Sequence, residues 1–324
     1  MELLRDFKQI GKTDAALAGG KGASLGEMTR AGIPVPPGFV LLSVAFERFI
    51  EETDLNVEID SILHKVNHQE IHTVDKASEE IQALILAAAV PKDIESEIKK
   101  HFKKLGAKFV VVRSSATAED SASAAWAGQL DTFLNTTENT LLENVKRCWA
   151  SLFTPRAIFY RFEKELHKTK ISVAVVVQKM VESEVSGIAF SVHPVTEDRN
   201  QLIIEAGFGL GEAIVSGQIT PDSYVVEKNP QRIIDTNVST QERRLIRHIR
   251  TNVRMKGESG GNVWENIPAA EGEQRKLSEK QVLELTELVL HIEKHYGFPC
   301  DIEWAFEKGK FYITQSRPIT TLKK

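Results

Sequence analysis

The spacing of hydrophobic residues predicts helices over much of the first third of the chain. Apolar positions recur with helical periodicity through residues 43–105, where Pro91 suits the first position of a helix. The same periodicity predicts two helices within 140–167. It also predicts an amphipathic helix over 278–296 that ends at Gly297.

Short apolar runs predict strands between and after these helices. The runs cover residues 109–112, 132–134, 171–181, 186–192, 201–205, 224–227 and 232–238. Arg113 follows the first run and Glu205 ends the fifth. Because ligands of open sheets bind near the carboxyl ends of strands, both side chains are candidates for binding a ligand. The polar stretches 114–131 and 239–276 are predicted to be irregular.

The last two predicted strands form a hairpin over 301–318, with a tight turn at 308–309. These strands carry polar side chains among their aromatic and branched residues. The oxygens of Glu303 and Gln315 suit a hard cation such as Mg²⁺, and a neighbouring Arg317 suits a phosphate. The hairpin is therefore a candidate site for a metal and a phosphate. A hairpin with exposed polar residues and no function is the alternative.

Two registers of this hairpin are compatible with the sequence. A two-residue turn aligns the apolar residues of the two strands, including Trp304 and Ile313. A three-residue turn instead places Glu303 opposite Gln315 and collects the polar groups on one face. Only the second register builds a site directly.

A glycine-rich segment surrounds Lys21 near the start of the chain. Gly19, Gly20 and Gly22 allow close approach of a ligand to the backbone, and a helix is predicted to begin just after them and to end at Gly32. Phosphate is the natural ligand for such a helix start with a lysine. The segment lacks the spacing of a Walker sequence, and a helix start with a solvated lysine is the alternative.

Composition excludes several classes of function. The chain has 324 residues, is 42% hydrophobic and carries a formal charge of -4, which argues against a nucleic-acid partner. No apolar run approaches the length of a membrane span, and no secretory signal is recognisable. Cys148 and Cys300 lack metal-type spacing, so two unpaired thiols in a reducing compartment, the cytoplasm, are expected.

Five groups of segments occur in an order that resembles a known family. They are GGKG at 19–22 with IPVP at 33–36, VRSSATAED at 112–120, SGIAF at 186–190, EAGFGLGE at 205–212, and DIEW at 301–304 with QSRP at 315–318. Together they closely resemble the nucleotide-binding domain of phosphoenolpyruvate synthase, pyruvate phosphate dikinase and rifampicin phosphotransferase. The resemblance covers nearly the whole chain. It implies an α+β, ATP-grasp fold whose two lobes, 1–180 and 181–324, have mixed or antiparallel sheets and close over ATP.

The resemblance also implies a role for individual residues. The implied ATP-binding residues are Lys21, Arg113, Gly128, Thr132, Gln178 and Glu205. Lys21 and Arg113 resemble the cations that hold the phosphates, and Gln178 the residue at the adenine edge. Glu303 and Gln315 resemble the magnesium ligands. Arg317 resembles the residue beside the transferred group, so Lys21, Arg113 and Arg317 form the implied catalytic set.

The expected partners follow from the multi-domain enzymes of this family, which carry phosphate on a histidine of a swivelling domain. The only nearby candidate, His193 in a Ser-Val-His-Pro segment, does not match the family's histidine segment. A domain that binds the acceptor, pyruvate or an antibiotic, is not recognisable either. We therefore expect a fragment, or a protein with separately encoded partners, that binds ATP and Mg²⁺ but does not complete turnover alone. A regulatory module that binds nucleotide without transfer is the alternative, although the retained set of site residues argues against it.

Overall fold

The computed structural model describes residues 2–117, 120–121, 124–125, 131–163, 172–248 and 261–322. The chain divides into two compact units. Unit 1 consists of Met1–Glu27 and Pro37–Met180, and unit 2 consists of Met28–Pro36 and Val181–Lys324. Both combine helices with antiparallel sheets, which confirms the predicted mixture of α and β structure. The division into two nucleotide-binding lobes with a boundary after residue 180 stays a prediction.

Unit 1 contains one large sheet, one short ladder and seven described α-helices. Its strands are β1 (Leu4–Asp6), β2 (Gly38–Leu41), β3 (Val110–Ala116), β4 (Asp120–Ser121), β5 (Ala124–Ala125), β6 (Thr132–Thr136) and β7 (Val173–Lys179). The large sheet is antiparallel with the order β1-β2-β7-β3-β6, while β4 pairs with β5. The helices are α1 (Ala15–Arg30), α2 (Ser43–Glu52), α3 (Leu55–Leu63), α4 (Ile71–Ala87), α5 (Lys92–Leu105), α6 (Leu141–Ala150) and α7 (Pro155–Glu163).

The two faces of the large sheet in unit 1 pack against different helices. Phe39, Val112 and Val175 belong to a core that they share with buried residues of α2 to α7. Because side chains alternate along a strand, Val40 points to the opposite face. Helix α1 covers that face, since a Cβ atom at Gly22 would lie 3.2 Å from Val40 Cγ2.

Unit 2 contains a six-stranded antiparallel sheet and a separate two-stranded ribbon. Its strands are β8 (Val185–Phe190), β9 (Gln201–Phe208), β10 (Asp222–Lys228), β11 (Gln231–Asn237), β12 (Arg243–Arg247), β13 (Asn262–Asn266), β14 (Cys300–Glu307) and β15 (Lys310–Pro318). The sheet order is β11-β10-β9-β8-β14-β15, and β12 pairs with β13. The helices are α8 (Glu212–Val215), α9 (Ala269–Gly272) and α10 (Glu279–Tyr296).

The sheet of unit 2 has one buried face and one half-exposed face. Ile204, Ile302 and Trp304 are buried, and α10 contacts strands β11 and β14. Neighbouring residues in the same strands, such as Glu205 and Glu303, point to the other face and are half-buried. The half-exposed face is therefore the one that a ligand can reach.

A proline-containing segment covers part of the β15 edge of this sheet. The Ile313 N–H donates a hydrogen bond of 2.9 Å to the carbonyl of Pro34, which lies in the Met28–Pro36 part of unit 2. An edge strand without such a neighbour presents its outward N–H groups to solvent. The segment therefore provides an acceptor for the edge in the middle of β15.

Two stretches predicted to be irregular contain regular structure. β3 continues through Ser114 and Ser115, whose small side chains are buried on opposite faces of the sheet. The stretch 239–276 contains β12, β13 and α9. By contrast, the prediction for α10 is confirmed: Ser278 caps it by accepting from the Gln281 N–H, and it ends at a glycine with positive φ.

Both cysteines are free and buried, as expected from the sequence. Burial raises the pKa of the Cys300 thiol to about 12 and that of Cys148 well above its ordinary value. Both thiols are therefore protonated at neutral pH and behave as parts of the core. Within the described parts of the chain, no helix has the length and apolar composition to cross a membrane.

A fully buried ion pair joins the stretch before α10 to strand β10. Lys276 Nζ lies 2.9 Å from Asp222 Oδ1, and neither side chain is exposed. Asp222 also accepts hydrogen bonds from the Tyr224 hydroxyl at 2.8 Å and from the Ser239 N–H at 3.0 Å. Burial and the bond to Asp222 raise the pKa of Tyr224, so this hydroxyl stays a donor. Removing either charge would leave the other one buried without its partner.

We predict that Asp222→Asn lowers the stability of unit 2 by about 3 kcal/mol, because the nearly isosteric amide removes the charge and leaves Lys276 unpaired in the core. Hydrogen exchange of the β9 and β10 amides measures this loss. Asp235→Asn, on the exposed strand β11, is the matched control and should change stability by less than about 0.5 kcal/mol. Equal exchange rates in the two variants would contradict a stabilising role for the buried pair.

Candidate functional site

Three predicted site residues of unit 1 share one face of its sheet. Arg113 is opposite Thr132 of β6 and opposite Val176 of β7. Gln178 lies two residues after Val176 and therefore points to the same face. Arg113 is 8% and Gln178 3% exposed, whereas Thr132 is exposed. This face thus carries a buried cation, a buried amide and an accessible hydroxyl.

The predicted positions of Arg113 and Glu205 at strand ends are wrong. β3 continues after Arg113 to Ala116, and β9 continues after Glu205 to Phe208. Small residues make this possible, because Ser115 pairs with Ala174 and Gly207 pairs with Ser186 without steric conflict. Both charged side chains therefore project from a sheet face and not from a strand end.

Lys21 lies in α1 at a break in that helix. Gly19 has φ 69° and ψ 170°, which interrupts the helical geometry and separates Ala15–Ala18 from the part that contains Lys21. A Cβ at Gly19 would overlap the hydroxyl and carbonyl of Ser115, so only glycine fits. Lys21 thus lies in the first turn of a helix that packs on the sheet face with Arg113 and Gln178. Gly128, the other predicted phosphate contact, lies outside the described residues.

The hairpin of β14 and β15 contains both of the registers that the sequence allows. Near the turn, Trp304 is opposite Ile313, as a two-residue turn requires. Farther along, Glu303 is opposite Gln315, as in the second register. The change occurs at a β-bulge, in which Thr314 is the extra residue of β15.

This bulge determines the face on which the polar residues of β15 lie. Phe311 and Ile313 are buried, and uninterrupted alternation would bury Gln315 as well. The extra residue shifts the alternation by one position. Gln315 and Arg317 consequently lie on the half-exposed face, beside Glu303 of the neighbouring strand.

Cross-strand pairing extends this face into a row of four side chains, three of which are polar. The row consists of Glu205, Ile188, Glu303 and Gln315. Directly paired residues point to the same face, so the two carboxyl groups and the amide are collected on the half-exposed side. Burial raises the pKa of the Glu205 carboxyl above its ordinary value, and the charge of Asp301 raises it further.

An ion pair adjoins this row. Arg317 Nε and Nη2 both lie 2.8 Å from Asp301 Oδ2. The Asp301 side chain is 13% exposed and the Arg317 side chain 47%. The carboxylate therefore orients a guanidinium that still faces solvent, which is a suitable arrangement for binding a phosphate.

The oxygen donors of unit 2 suit a hard cation that completes its coordination with other ligands. In the parts of the chain that are described, no three His, Cys, Asp or Glu side chains form a group that could hold a metal ion by themselves. Glu303 and Gln315 supply one carboxylate and one amide oxygen on adjacent strands. Mg²⁺ is commonly held in this way, by one or two carboxylates together with phosphate oxygens and water.

Two residues shape these groups in ways that the sequence does not predict. Ser115 accepts a hydrogen bond of 3.2 Å from the Gly22 N–H in α1, which links the glycine-rich segment to β3. Thr314 forms the bulge. The close glycines around Lys21 give a signal for the first contact, but no pattern in the sequence distinguishes a bulge at Thr314 from a longer turn.

Comparison with known proteins gives one family and several relatives. The family described as "Pyruvate phosphate dikinase, AMP/ATP-binding domain" matches residues 15–324. A probable phosphoenolpyruvate synthase of Methanocaldococcus jannaschii is 43% identical over 332 residues, which cover 100% of this chain and 27% of the relative. A probable phosphoenolpyruvate synthase of Archaeoglobus fulgidus is 45% identical, and the match covers 97% of this chain and 41% of that relative.

A rifampicin phosphotransferase of Bacillus subtilis is also similar, at 37% identity over 99% of this chain and 36% of the relative. The chain thus spans less than half the length of these proteins. Among solved structures, a D-alanine-D-alanine ligase from Helicobacter pylori matches over 66% of this chain and 43% of its own chain. Its sequence identity of 12% and its TM-score of 0.28 are too low to support an inference. Because this family matches nearly the whole length of the chain, the chain belongs to the AMP/ATP-binding domain family of pyruvate phosphate dikinase.

Proposed function

We propose that this chain binds ATP with Mg²⁺ and donates a phosphoryl group to a histidine of a separate swivelling domain, as in the synthesis of phosphoenolpyruvate from pyruvate. The observation that carries the proposal is the polar face of unit 2. There Glu303 is paired with Gln315, and the Asp301–Arg317 ion pair adjoins them. Oxygen donors for a cation beside a guanidinium for a phosphate are what phosphoryl transfer requires.

Glu303 and Gln315 would hold the magnesium ion in this proposal. When bound, the ion neutralises charge on the phosphates of ATP. Arg317 contributes a second positive charge, and its pairing with Asp301 limits the orientations of the guanidinium. Phosphoryl transfer depends mainly on such positioning and charge neutralisation, so these side chains need no covalent role.

The polar residues of unit 1 have complementary roles. Lys21 and Arg113 bind the phosphates as cations, while Thr132 and Gly128 contribute a hydroxyl or backbone contact. The buried Gln178 offers an amide that pairs with the polar edge of adenine. Glu205, whose raised pKa leaves it easier to protonate than an exposed carboxyl, contributes to ATP binding from unit 2. Closure of two lobes over the nucleotide belongs to this proposal, and a smaller radius of gyration in small-angle scattering with ATP and Mg²⁺ would support it.

The histidine domain and the acceptor domain are proposed partners that this chain does not itself provide. The relatives named phosphoenolpyruvate synthase are much longer than this chain, which leaves room in them for further domains. A reducing cytoplasmic setting is consistent with two free buried thiols. The match to a rifampicin phosphotransferase favours, as a second candidate, the ATP-binding domain of an antibiotic-phosphorylating enzyme.

The transfer activity can be tested with ATP labelled on both its β- and γ-phosphates. The chain is mixed with the histidine domain of a phosphoenolpyruvate synthase and, separately, with that of a rifampicin phosphotransferase. We expect label on the histidine of the first domain. Faster labelling of the second domain would favour the antibiotic-phosphorylating candidate. Tight ATP binding with no label on either histidine would favour the silent regulatory module.

We predict that Glu303→Ala weakens ATP binding about tenfold in the presence of Mg²⁺ but leaves binding in excess EDTA unchanged, because only the metal-dependent part uses this carboxylate. Isothermal titration calorimetry under the two conditions measures both values. Glu307→Ala, in the same strand near the turn, is the matched control and should leave both affinities unchanged. If the Glu303 variant keeps the affinity of the unmodified chain in Mg²⁺, the metal assignment is wrong.

We predict that Arg317→Ala changes the affinity for ATP about twofold or less but slows labelling of the partner histidine about a thousandfold, because the guanidinium acts on charge that develops during transfer. Calorimetry and the labelling assay measure the two effects. Arg317→Lys keeps the charge but cannot reproduce the two N–H contacts with Asp301, so it should restore only part of the rate. Equal losses in binding and transfer would argue against this role.

A further inference from the structure

The helix that carries Lys21 is capped by a residue from a distant strand. After the break at Gly19, Gly22 is the third residue of the resumed helix. In an ordinary helix start, the side chain of the residue before the helix accepts from the N–H at this position. Gly19 has no side chain. Instead, Ser115 Oγ accepts from the Gly22 N–H at 3.2 Å, across 93 positions in the sequence.

The contact between this serine and the helix start is tight. Ser115 is fully buried, and its backbone is fixed by pairing with Ala174 in β7. The overlap that a Cβ at Gly19 would make with the Ser115 hydroxyl and carbonyl shows how closely the two segments approach. The Ser115 hydroxyl can therefore reach few other hydrogen-bond partners, and the start of the helix cannot move far from it.

The same strand also carries the second cation of unit 1. Ser115 lies two residues after Arg113 in β3, and the pairing of β3 with β7 is regular over both positions. Their side chains therefore point to the same face. One short piece of backbone thus supports Arg113 directly and Lys21 through the cap.

We infer that Ser115 is a positioning residue for phosphate binding, whose hydroxyl fixes the helix start with Lys21 relative to Arg113. The inference rests on the proposed function, in which both cations bind the phosphates of ATP. Because the cap acts through Lys21, its effect on the affinity for a nucleotide increases with the number of phosphates that the nucleotide carries. Its removal should therefore weaken ATP binding strongly, ADP binding less, and AMP binding least.

The test is calorimetry of Ser115→Ala with ATP, ADP and AMP. We expect about a tenfold loss of affinity for ATP and less than about a twofold loss for AMP, since loss of a capping hydroxyl leaves a buried N–H without its acceptor. Ser114→Ala is the matched control. Ser114 is equally buried and bonds the Asp131 carbonyl at 3.1 Å, but it points to the other face, so all three affinities should stay within about twofold.

A double-mutant cycle separates positioning from a general loss of structure. In a Lys21→Ala background, Ser115→Ala should cost ATP binding less than about twofold, because the side chain that it positions is gone. An undiminished tenfold cost in that background, or equal losses for ATP and AMP, would overturn the inference. If Ser115→Ala fails to fold, Ser115→Cys keeps the size with a weaker acceptor and should show a smaller loss with the same dependence on phosphates.

Different results would contradict phosphate binding by the two cations and the positioning role of Ser115. An unmodified chain that binds ATP no better than AMP would remove the proposed role of the cations and thereby the basis for the inference. An unmodified chain that prefers ATP, together with a Ser115 variant that keeps this preference in full, would remove the inference alone.

Discussion

Side-chain alternation along β-strands is the constraint on which both groups of site residues depend. A strand can present polar groups to a ligand and apolar groups to a core only if the two kinds of residue keep opposite phases. In β14 this holds from Cys300 to Trp304, with Ile302 and Trp304 buried and Glu303 half-buried between them. In β15 it does not, and the Thr314 bulge restores it by adding one residue between the apolar and the polar part.

The same alternation places core residues of β3 in unit 1 on one face of the sheet and candidate site residues on the other. Val112 and Ser114 point toward the helical core and the β6 side, whereas Arg113 and Ser115 point toward α1. Each face thus receives one pair of residues from four consecutive positions. The buried guanidinium of Arg113 requires a rigid surrounding, because a charge in such a place is tolerated only with well-placed partners. The position of β3 inside the sheet, paired on both sides with β6 and β7, supplies this rigidity.

The sequence predicts elements well where the signal is local and poorly where it depends on packing. The cap at Ser278 and the stop at Gly297 define α10 because both act within one turn. The length of β3 is misjudged because serines weaken the strand signal, while pairing with β7 decides the outcome. The charged ribbon of β12 and β13 is missed for the same reason: Arg243 stacks on Trp264 and Arg244 pairs with Glu265, and such contacts exist only after pairing.

For the site, residue types are more predictable from sequence than their geometry. Family resemblance supplies the identity of the candidate residues, but the hairpin register follows from neither propensity nor turn chemistry. The apolar residues near the turn favour one register and the polar residues favour the other, and each preference is satisfied in its own part of the hairpin. The sequence therefore shows that the two parts of the hairpin prefer different registers, but it does not show that a bulge reconciles them.

The hydrogen bond from Ile313 to Pro34 has a consequence for self-association. Prolines at 34, 36 and 37 lack an N–H group, so this segment can accept a hydrogen bond from β15 but has few donors to offer to a further strand. At the opposite edge, β11 carries a bulge at Ile234 that interrupts regular pairing. Each edge of the sheet is thereby a poor template for the strand of another molecule, which protects an extended, partly open sheet from growing into aggregates.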